Sequence, residues 1–184
     1  MNKVIIYSSL LLIAGAVSIP VVFSDRNHYL DSYKRDSIGV AKVDNPIYQE
    51  ECGSCHMGYQ PGLLTSASWE KIINGLEDHF GDNAELDAST QQMLSEYLMA
   101  NSAETSNYRR SKKFMRNINL KNAPIRITKT PYFIHKHDEI PDKLVRANQQ
   151  IKSFSNCNAC HNKAEQGLFD EHGVNIPGYG RWED

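Results

Sequence analysis

The placement of the cysteines is the feature that most constrains this chain of 184 residues. The sequence contains four cysteines, and all four fall in two copies of one pattern, C-x-x-C-H. The copies are ECGSCH at 51–56 and NCNACH at 156–161. Their pattern residues are Cys52, Cys55 and His56, then Cys157, Cys160 and His161. No cysteine is left for a structural disulfide, so the chemistry of these two motifs dominates the fold and the function.

Three familiar kinds of cysteine site fail to account for both motifs. Structural zinc needs four ligands, commonly two cysteine pairs or a cysteine pair with a spaced histidine pair. The separation of 105 positions between Cys52 and Cys157 suits neither arrangement. A thioredoxin-like dithiol lies between a strand and a helix, and neither motif has a strand pattern beside it. A disulfide in an oxidising compartment gives no reason for a histidine after each second cysteine.

Covalent haem attachment accounts for every residue of the pattern. On one helical turn, cysteines three positions apart lie on the same face, where each forms a thioether with a vinyl group of the porphyrin. The histidine that follows then binds the iron as its proximal ligand. The sequence therefore predicts two c-type haems, attached through Cys52 and Cys55 and through Cys157 and Cys160. Their proximal iron ligands are His56 and His161.

The N-terminus predicts export of the chain. Residues 4–23 form an uncharged, mostly apolar run after one lysine, and small residues at 14–16 suit signal-peptide cleavage. The run also has about the 20 residues that a membrane-spanning helix needs. We therefore predict a signal peptide or an N-terminal membrane anchor over residues 1–24. The net charge of −2 gives no electrostatic footprint for nucleic-acid binding.

The second ligand of the first haem is sought in SASWEKIINGLEDHF, residues 66–80. Its apolar residues recur at helical spacing and predict an amphipathic helix, capped by Ser66 or Ser68. The apolar positions are Trp69, Ile72, Ile73, Leu76 and Phe80. His79 joins this apolar face. A lone histidine there is ordinarily a core residue, but a haem must be buried about twenty residues after His56, so we favour His79 as the distal ligand.

A methionine ligand is the alternative for this haem. A second helix is predicted from a cap at Asp87 or Ser89 to Asn101, and it carries Met93 and Met99. Either sulfur would give histidine–methionine ligation. Methionine on an apolar helix face more often fills the core, so we rank this alternative below His79.

The second haem has two candidate distal ligands, His135 and His137, in PYFIHKHDEIP at 131–141. In an extended segment both would point to the same side, so spacing alone leaves the choice open. Acidic side chains directly after His137 favour it weakly, because a carboxylate can orient a ligating ring. His28 lies near the exported terminus and His172 lies in a polar loop, and we expect both to be exposed.

These segments resemble the dihaem cytochromes c of bacterial periplasms. The resemblance rests on the first motif and on three further stretches, and it covers most of residues 46–177. The stretches are WEKIINGLEDHFGDNAELD, RITKTPYFIHKHDEI and CNACHNKAEQGLFDEHGVNIP. The resemblance implies a mainly α-helical protein, with short helices packed around two covalently bound haems and long irregular connections. It also implies two histidine ligands at each iron, His56 with His79 at the first and His161 with His137 at the second. The resemblance thus selects His137 over His135 as the distal ligand of the second haem.

The same resemblance implies a periplasmic electron carrier rather than an enzyme. Such a protein accepts electrons from a membrane b-type cytochrome and passes them to a small monohaem cytochrome c. The membrane would be contacted only through a retained N-terminal segment. Two alternatives stay open. One is a peroxidase-like enzyme or gas sensor with one open iron, and the other is a dihaem electron-transfer subunit of a larger reductase.

Charge divides the predicted domain at 25–184. Residues 25–100 hold 13 acidic and 5 basic side chains, whereas residues 101–161 hold 4 acidic and 12 basic ones. We predict a haem-one half at about 46–101, an irregular basic connector at about 102–130 with one helix near 106–117, and a haem-two half at about 131–177. The basic surface either neutralises haem propionates or steers a redox partner, since opposed charge fields raise encounter rates.

Overall fold

The computed structural model describes residues 39–182. The predicted N-terminal segment 1–24 and His28 lie outside these residues. Within them the chain forms short α-helices, joined by 3-10 turns and irregular connections, and one small antiparallel hairpin. The helices are α1 (Pro46–Glu51), α2 (Ser66–Ile73), α3 (Ala88–Ala100), α4 (Arg109–Phe114), α5 (Pro131–His137) and α6 (Asp142–Val145). The prediction of a mainly α-helical fold with short helices is confirmed. Between residues 39 and 182, no helix has the length and apolar character that crossing a bilayer requires.

The hairpin pairs β1 (Asn175–Ile176) with β2 (Gly180–Arg181). Asn175 lies opposite Arg181, and Ile176 lies opposite Gly180. The 3-10 turns include Leu76–Asp78, Ile127–Lys129 and Cys157–Ala159. The helix predicted in the connector is α4, and the rest of that segment is irregular or in 3-10 turns. This helix is shorter than the 106–117 predicted from the sequence.

Side-chain caps start several of the helices. The Asn45 side chain accepts a hydrogen bond from the backbone N–H of Tyr48 at the start of α1, and Thr65 caps α2 in the same way. Asp87 accepts from two backbone N–H groups of α3. Thr130 caps α5, whose first residue is a proline. Each cap satisfies N–H groups that have no partner inside the helix.

Helix α3 has the predicted limits, whereas α2 is shorter than predicted. The N-terminal cap of α2 is Thr65 rather than a serine, and α2 ends at Ile73, seven residues before the predicted end at Phe80. The sequence Asn74-Gly75 follows, and both residue types favour a helix end. Phe80, predicted on the apolar face, is 40% exposed. The prediction of one continuous helix over residues 66–80 is therefore wrong.

The core has a larger and a smaller part. The larger part packs α1, α2 and α3 against α4 and α5, with Leu94 and Leu98 almost fully buried. The smaller part lies under the hairpin and contains Val145, Ile151, Val174 and Ile176. Phe154 packs against both parts. The two parts of the core are therefore joined through Phe154.

Candidate haem sites

The first motif places its histidine against His79. The ring centroids of His56 and His79 are 6.2 Å apart, and their planes differ by 21°. The Nδ1 atom of His56 lies 2.8 Å from the backbone carbonyl oxygen of Met57. A carbonyl only accepts hydrogen bonds, so this contact holds the proton on Nδ1 and leaves Nε2 free to bind a metal.

His79 reaches this position from a tight turn rather than from a helix. Its backbone N–H donates to the carbonyl of Asp82 at 2.7 Å, and the Asp82 N–H is 3.4 Å from the carbonyl of His79. The two residues between them, Phe80 and Gly81, have φ angles of 62° and 108°. A left-handed backbone costs a side-chain-bearing residue about 1–2 kcal/mol. The Arg126 guanidinium lies 3.8 Å from the centre of the Phe80 ring, a cation–π contact that offsets part of this strain.

The first motif is open to solvent. It directly follows α1, with the Cys52 N–H bonded to the Tyr48 carbonyl at 3.0 Å. Cys55 and His56 are exposed, and Cys52 is half-buried. Burial, followed by the neighbouring Glu51 charge, raises the pKa of Cys52 to about 11. This pKa is that of the free Cys52 thiol, and a thioether bond to haem would remove the titrating group.

The pKa of the His79 ring is lowered, and several groups contribute. Partial burial is the main cause, and the positive charges of His56 and Arg126 act in the same direction. The Asp82 carboxylate opposes them. His79 is therefore held towards its neutral form, which is the form that binds metals.

The second motif places its histidine against His137. The ring centroids of His137 and His161 are 6.3 Å apart, and their planes differ by 74°. The Nδ1 atom of His137 lies 2.9 Å from the Phe133 carbonyl oxygen, one helical turn earlier in α5. The His137 ring also stacks on the Phe133 ring, with centroids 3.9 Å apart. Both contacts fix the orientation of the ring.

The backbone of the second motif forms the predicted helical turn. The Cys157 carbonyl accepts hydrogen bonds from the N–H groups of Cys160, at 3.2 Å, and His161, at 2.8 Å. This turn brings the two cysteines onto one face and the histidine next to them. The prediction of a helical turn is confirmed for this motif.

An aromatic cavity of about 1010 Å³, part of it open to solvent, surrounds the second pair of histidines. Burial, with the positive charges of His137 and Arg110, lowers the pKa of His161 to about 4. The Nδ1 atom of His161 is buried and has no hydrogen-bond partner within residues 39–182. The apolar lining comes from both halves of the chain and includes Leu63, Phe114, Tyr132, Phe133, Phe154, Phe169 and Ile176. We call this space the haem-two cavity.

Both histidine pairs have the spacing that one iron between two imidazoles requires. Metal–nitrogen bonds of about 2 Å on each side, and about 1.1 Å from each nitrogen to its ring centre, give about 6.2–6.3 Å between ring centroids. The measured separations are 6.2 Å and 6.3 Å. All four cysteines are unpaired thiols beside these histidines. The residues present therefore fit two c-type haems.

The structure also separates the candidates that spacing left open. The segment containing His135 and His137 is the helix α5 rather than an extended strand. Residues two apart on a helix are about 200° apart around its axis, so the two rings point in different directions. His135 is exposed, while His137 faces His161. His172 is exposed, as expected.

The methionine alternative receives less support from the structure. Met93 is 44% exposed on α3, while Met99 is half-buried on the same helix.

Two residues that contact the sites were not identified from the sequence, Phe133, which stacks on His137, and Arg126, which lies over Phe80. For Phe133, the one signal in the sequence was its position four residues before His137, which is the spacing of one helical turn. Arg126 comes from a segment distant in sequence from Phe80, so no local pattern indicated it.

Comparison with known proteins identifies the family of the chain. A family model described as dihaem cytochrome c matches residues 48–169. Among solved structures, a diheme cytochrome type c from Shewanella baltica OS155 is 44% identical, with a TM-score of 0.64, and the match covers 77% of this chain and 99% of that one. A diheme cytochrome c from Rhodobacter sphaeroides is 37% identical, with a TM-score of 0.63, over 71% of this chain and 100% of that one. No curated protein gives a significant match. The chain belongs to the dihaem cytochrome c family and carries two c-type haems.

Proposed function

We propose that this dihaem cytochrome c is a periplasmic electron carrier in which two histidines hold each iron. His56 and His79 would bind the first iron, and His161 and His137 the second. The observation that carries the proposal is the pair of histidine separations, 6.2 Å and 6.3 Å, each at the spacing of a doubly ligated iron. A bound haem supplies reversible one-electron oxidation and reduction, and the protein supplies its position and surroundings.

The residues around the histidines hold their rings for this role. The backbone carbonyl oxygens of Met57 and Phe133 accept hydrogen bonds from the Nδ1–H groups of His56 and His137. This type of contact orients a ligating ring and increases its basicity. At the second site, mostly aromatic and aliphatic side chains line the cavity around the ring of His137.

This geometry favours a carrier over the enzyme or sensor alternative. A peroxidase-like iron needs one coordination position open to a small molecule. Here each motif histidine has a second histidine at ligand distance. A dihaem subunit of a larger reductase would have the same closed sites, and it would differ from the carrier in its partners.

For partners, we propose a membrane b-type cytochrome as donor and a small monohaem cytochrome c as acceptor. The resemblance to periplasmic dihaem cytochromes c supports this pair, and the uneven charge is compatible with two docking faces. Beside the haem-two cavity, Arg109, Arg110 and Lys113 line a polar pocket with Asp170, Glu171 and His172. Cations at the edge of a redox site attract an acidic partner and raise its association rate.

Haem counting and carbon monoxide binding test the proposal. A pyridine haemochrome assay should report two c-type haems per chain. The reduced protein should show no spectral change under carbon monoxide, because both irons have two protein ligands. A single haem, or carbon monoxide binding by half of the haem, would contradict the proposed ligation. Export is tested separately, by asking whether the mature protein is released from the periplasm by osmotic shock or stays with the membrane.

A further inference from the structure

The segment 59–61, which follows the first motif, connects the two haem sites. The Tyr59 ring lies 4.8 Å from the His56 ring, with 30° between their planes. The Tyr59 hydroxyl donates a hydrogen bond of 2.8 Å to the backbone carbonyl of Ser155. Ser155 precedes Cys157 by two residues. One side chain therefore contacts the proximal histidine of the first site and the chain leading into the second motif.

Neighbouring hydrogen bonds hold this segment in place. The Tyr48 hydroxyl donates to the Tyr59 carbonyl at 2.7 Å, and the Trp69 indole N–H donates to the Pro61 carbonyl at 2.8 Å. The Gln60 side chain, which is fully buried, donates to the Ala164 carbonyl at 2.6 Å. Ser155 and Ala164 flank the second motif on its two sides. The segment is thus fixed against both motifs, which keeps the distance between them constant.

We propose that Tyr59 is the residue that connects the two haem sites electronically. The path runs from the His56 ring across the contact to the Tyr59 ring, through the hydroxyl hydrogen bond to Ser155, and along the backbone to Cys157. Bonds and hydrogen bonds carry an electron further than an empty gap does, because they provide orbitals between donor and acceptor. The neighbouring hydrogen bond from Gln60 to the Ala164 carbonyl starts from a side chain without an aromatic ring, so it offers no ring contact to His56.

The transfer moves one electron and no proton. His56 and His161 would hold the two irons, and the loss of one electron by either iron, from Fe(II) to Fe(III), would balance its gain by the other. Tyr59 stays a neutral phenol throughout, and its hydroxyl proton stays in the bond to Ser155. This role rests on the proposed function, since it needs two irons that exchange electrons.

The test compares two variants of Tyr59 with a matched control in the holoprotein. Tyr59→Phe removes the hydroxyl and keeps the ring, whereas Tyr59→Leu removes the ring as well. Tyr97→Phe is the control, because its hydroxyl bonds to Asp44 at 3.4 Å within the first half of the chain. Rapid photoreduction followed by freeze-quenched EPR measures how fast an electron redistributes between the two haems. Denaturant unfolding of each variant provides a second measurement that does not depend on electron transfer.

We expect Tyr59→Phe to slow the redistribution severalfold and Tyr59→Leu to slow it further, while Tyr97→Phe keeps the wild-type rate. Loss of the hydrogen bond should also lower the folding equilibrium constant of Tyr59→Phe by about fivefold. A lower stability with an unchanged redistribution rate would overturn the proposal and leave Tyr59 a structural residue. If Tyr59→Leu fails to attach haem, the rate of Tyr59→Phe decides. A high-spin haem in the wild-type protein would instead contradict the proposed ligation.

Discussion

The two haem sites share one sequence motif and differ in almost everything around it. At the first site, Cys55 and His56 are exposed, and the two histidine rings are close to parallel. At the second, His161 lies in an aromatic cavity, and the two rings are close to perpendicular. The difference comes from the segments that supply the second histidine, a strained turn in one case and the helix α5 in the other. The motif fixes attachment, while the surrounding fold sets exposure and ring orientation.

The largest expected effect distinguishes His137 from its neighbour His135. His137→Ala should turn one of the two haems high-spin and let it bind carbon monoxide when reduced, because the ring facing His161 is gone. His135→Ala is the matched control, since it removes an exposed imidazole from the same helix. Visible spectra of both variants with and without carbon monoxide make the measurement. The reverse result would mean that the ligand lies on the other face of α5.

Removing the second histidine of the first site should change the spectrum about as much as His137→Ala does, but this change should be easier to reverse. His79→Ala should leave one haem high-spin, and added imidazole should restore the low-spin spectrum quickly because this site is exposed. The same addition to His137→Ala should act more slowly, since the second histidine lies in the haem-two cavity. Stopped-flow mixing measures both rates. If His79→Ala stays low-spin without imidazole and shows no new methionine-to-iron band, His79 is not a ligand.

The difference in burial should also appear as two separate midpoint potentials. Oxidised haem carries one more positive charge than reduced haem, and burial in an apolar cavity disfavours that charge. We therefore expect the second haem to have the higher potential. Its nearby cations act in the same direction, and Arg110 lies close enough to lower the pKa of His161. A potentiometric titration that follows each EPR signal separately tests the order, and the opposite order would show that burial is not the dominant influence.

The smallest expected effect concerns the strained turn of the first site. Arg126→Gln removes the guanidinium that lies 3.8 Å from the Phe80 ring. We expect a loss of about 0.5–1 kcal/mol in the free energy of unfolding, the usual size of an exposed cation–π contact. The EPR signal of the first haem should broaden, while that of the second stays unchanged. Lys129→Gln removes a charge from the same connector without touching Phe80, and an equal effect there would assign the change to net charge alone.

The fold class and the presence of two c-type haems could be predicted from the sequence, because covalent haem attachment needs closely spaced residues. It also placed the limits of α3, whose cap Asp87 is a local signal. It misplaced the end of α2, since the apolar spacing continued past the helix end at Asn74-Gly75. The orientation of the His135 and His137 rings depended on whether their segment was helical, which the spacing of two histidines does not determine. The contact of Arg126 with Phe80 joins segments far apart in sequence and left no local pattern.

Low-temperature EPR of the oxidised protein tests the central claim most directly. Parallel imidazole rings act on the same iron d orbital and split the d levels strongly, whereas perpendicular rings act on two orbitals and leave them nearly equal. The ring angles of 21° and 74° should therefore give two different low-spin signals of equal intensity, one rhombic and one with a large, axial anisotropy. A high-spin signal accounting for half of the iron would contradict histidine ligation at one site. Two identical rhombic signals would contradict the difference between the sites.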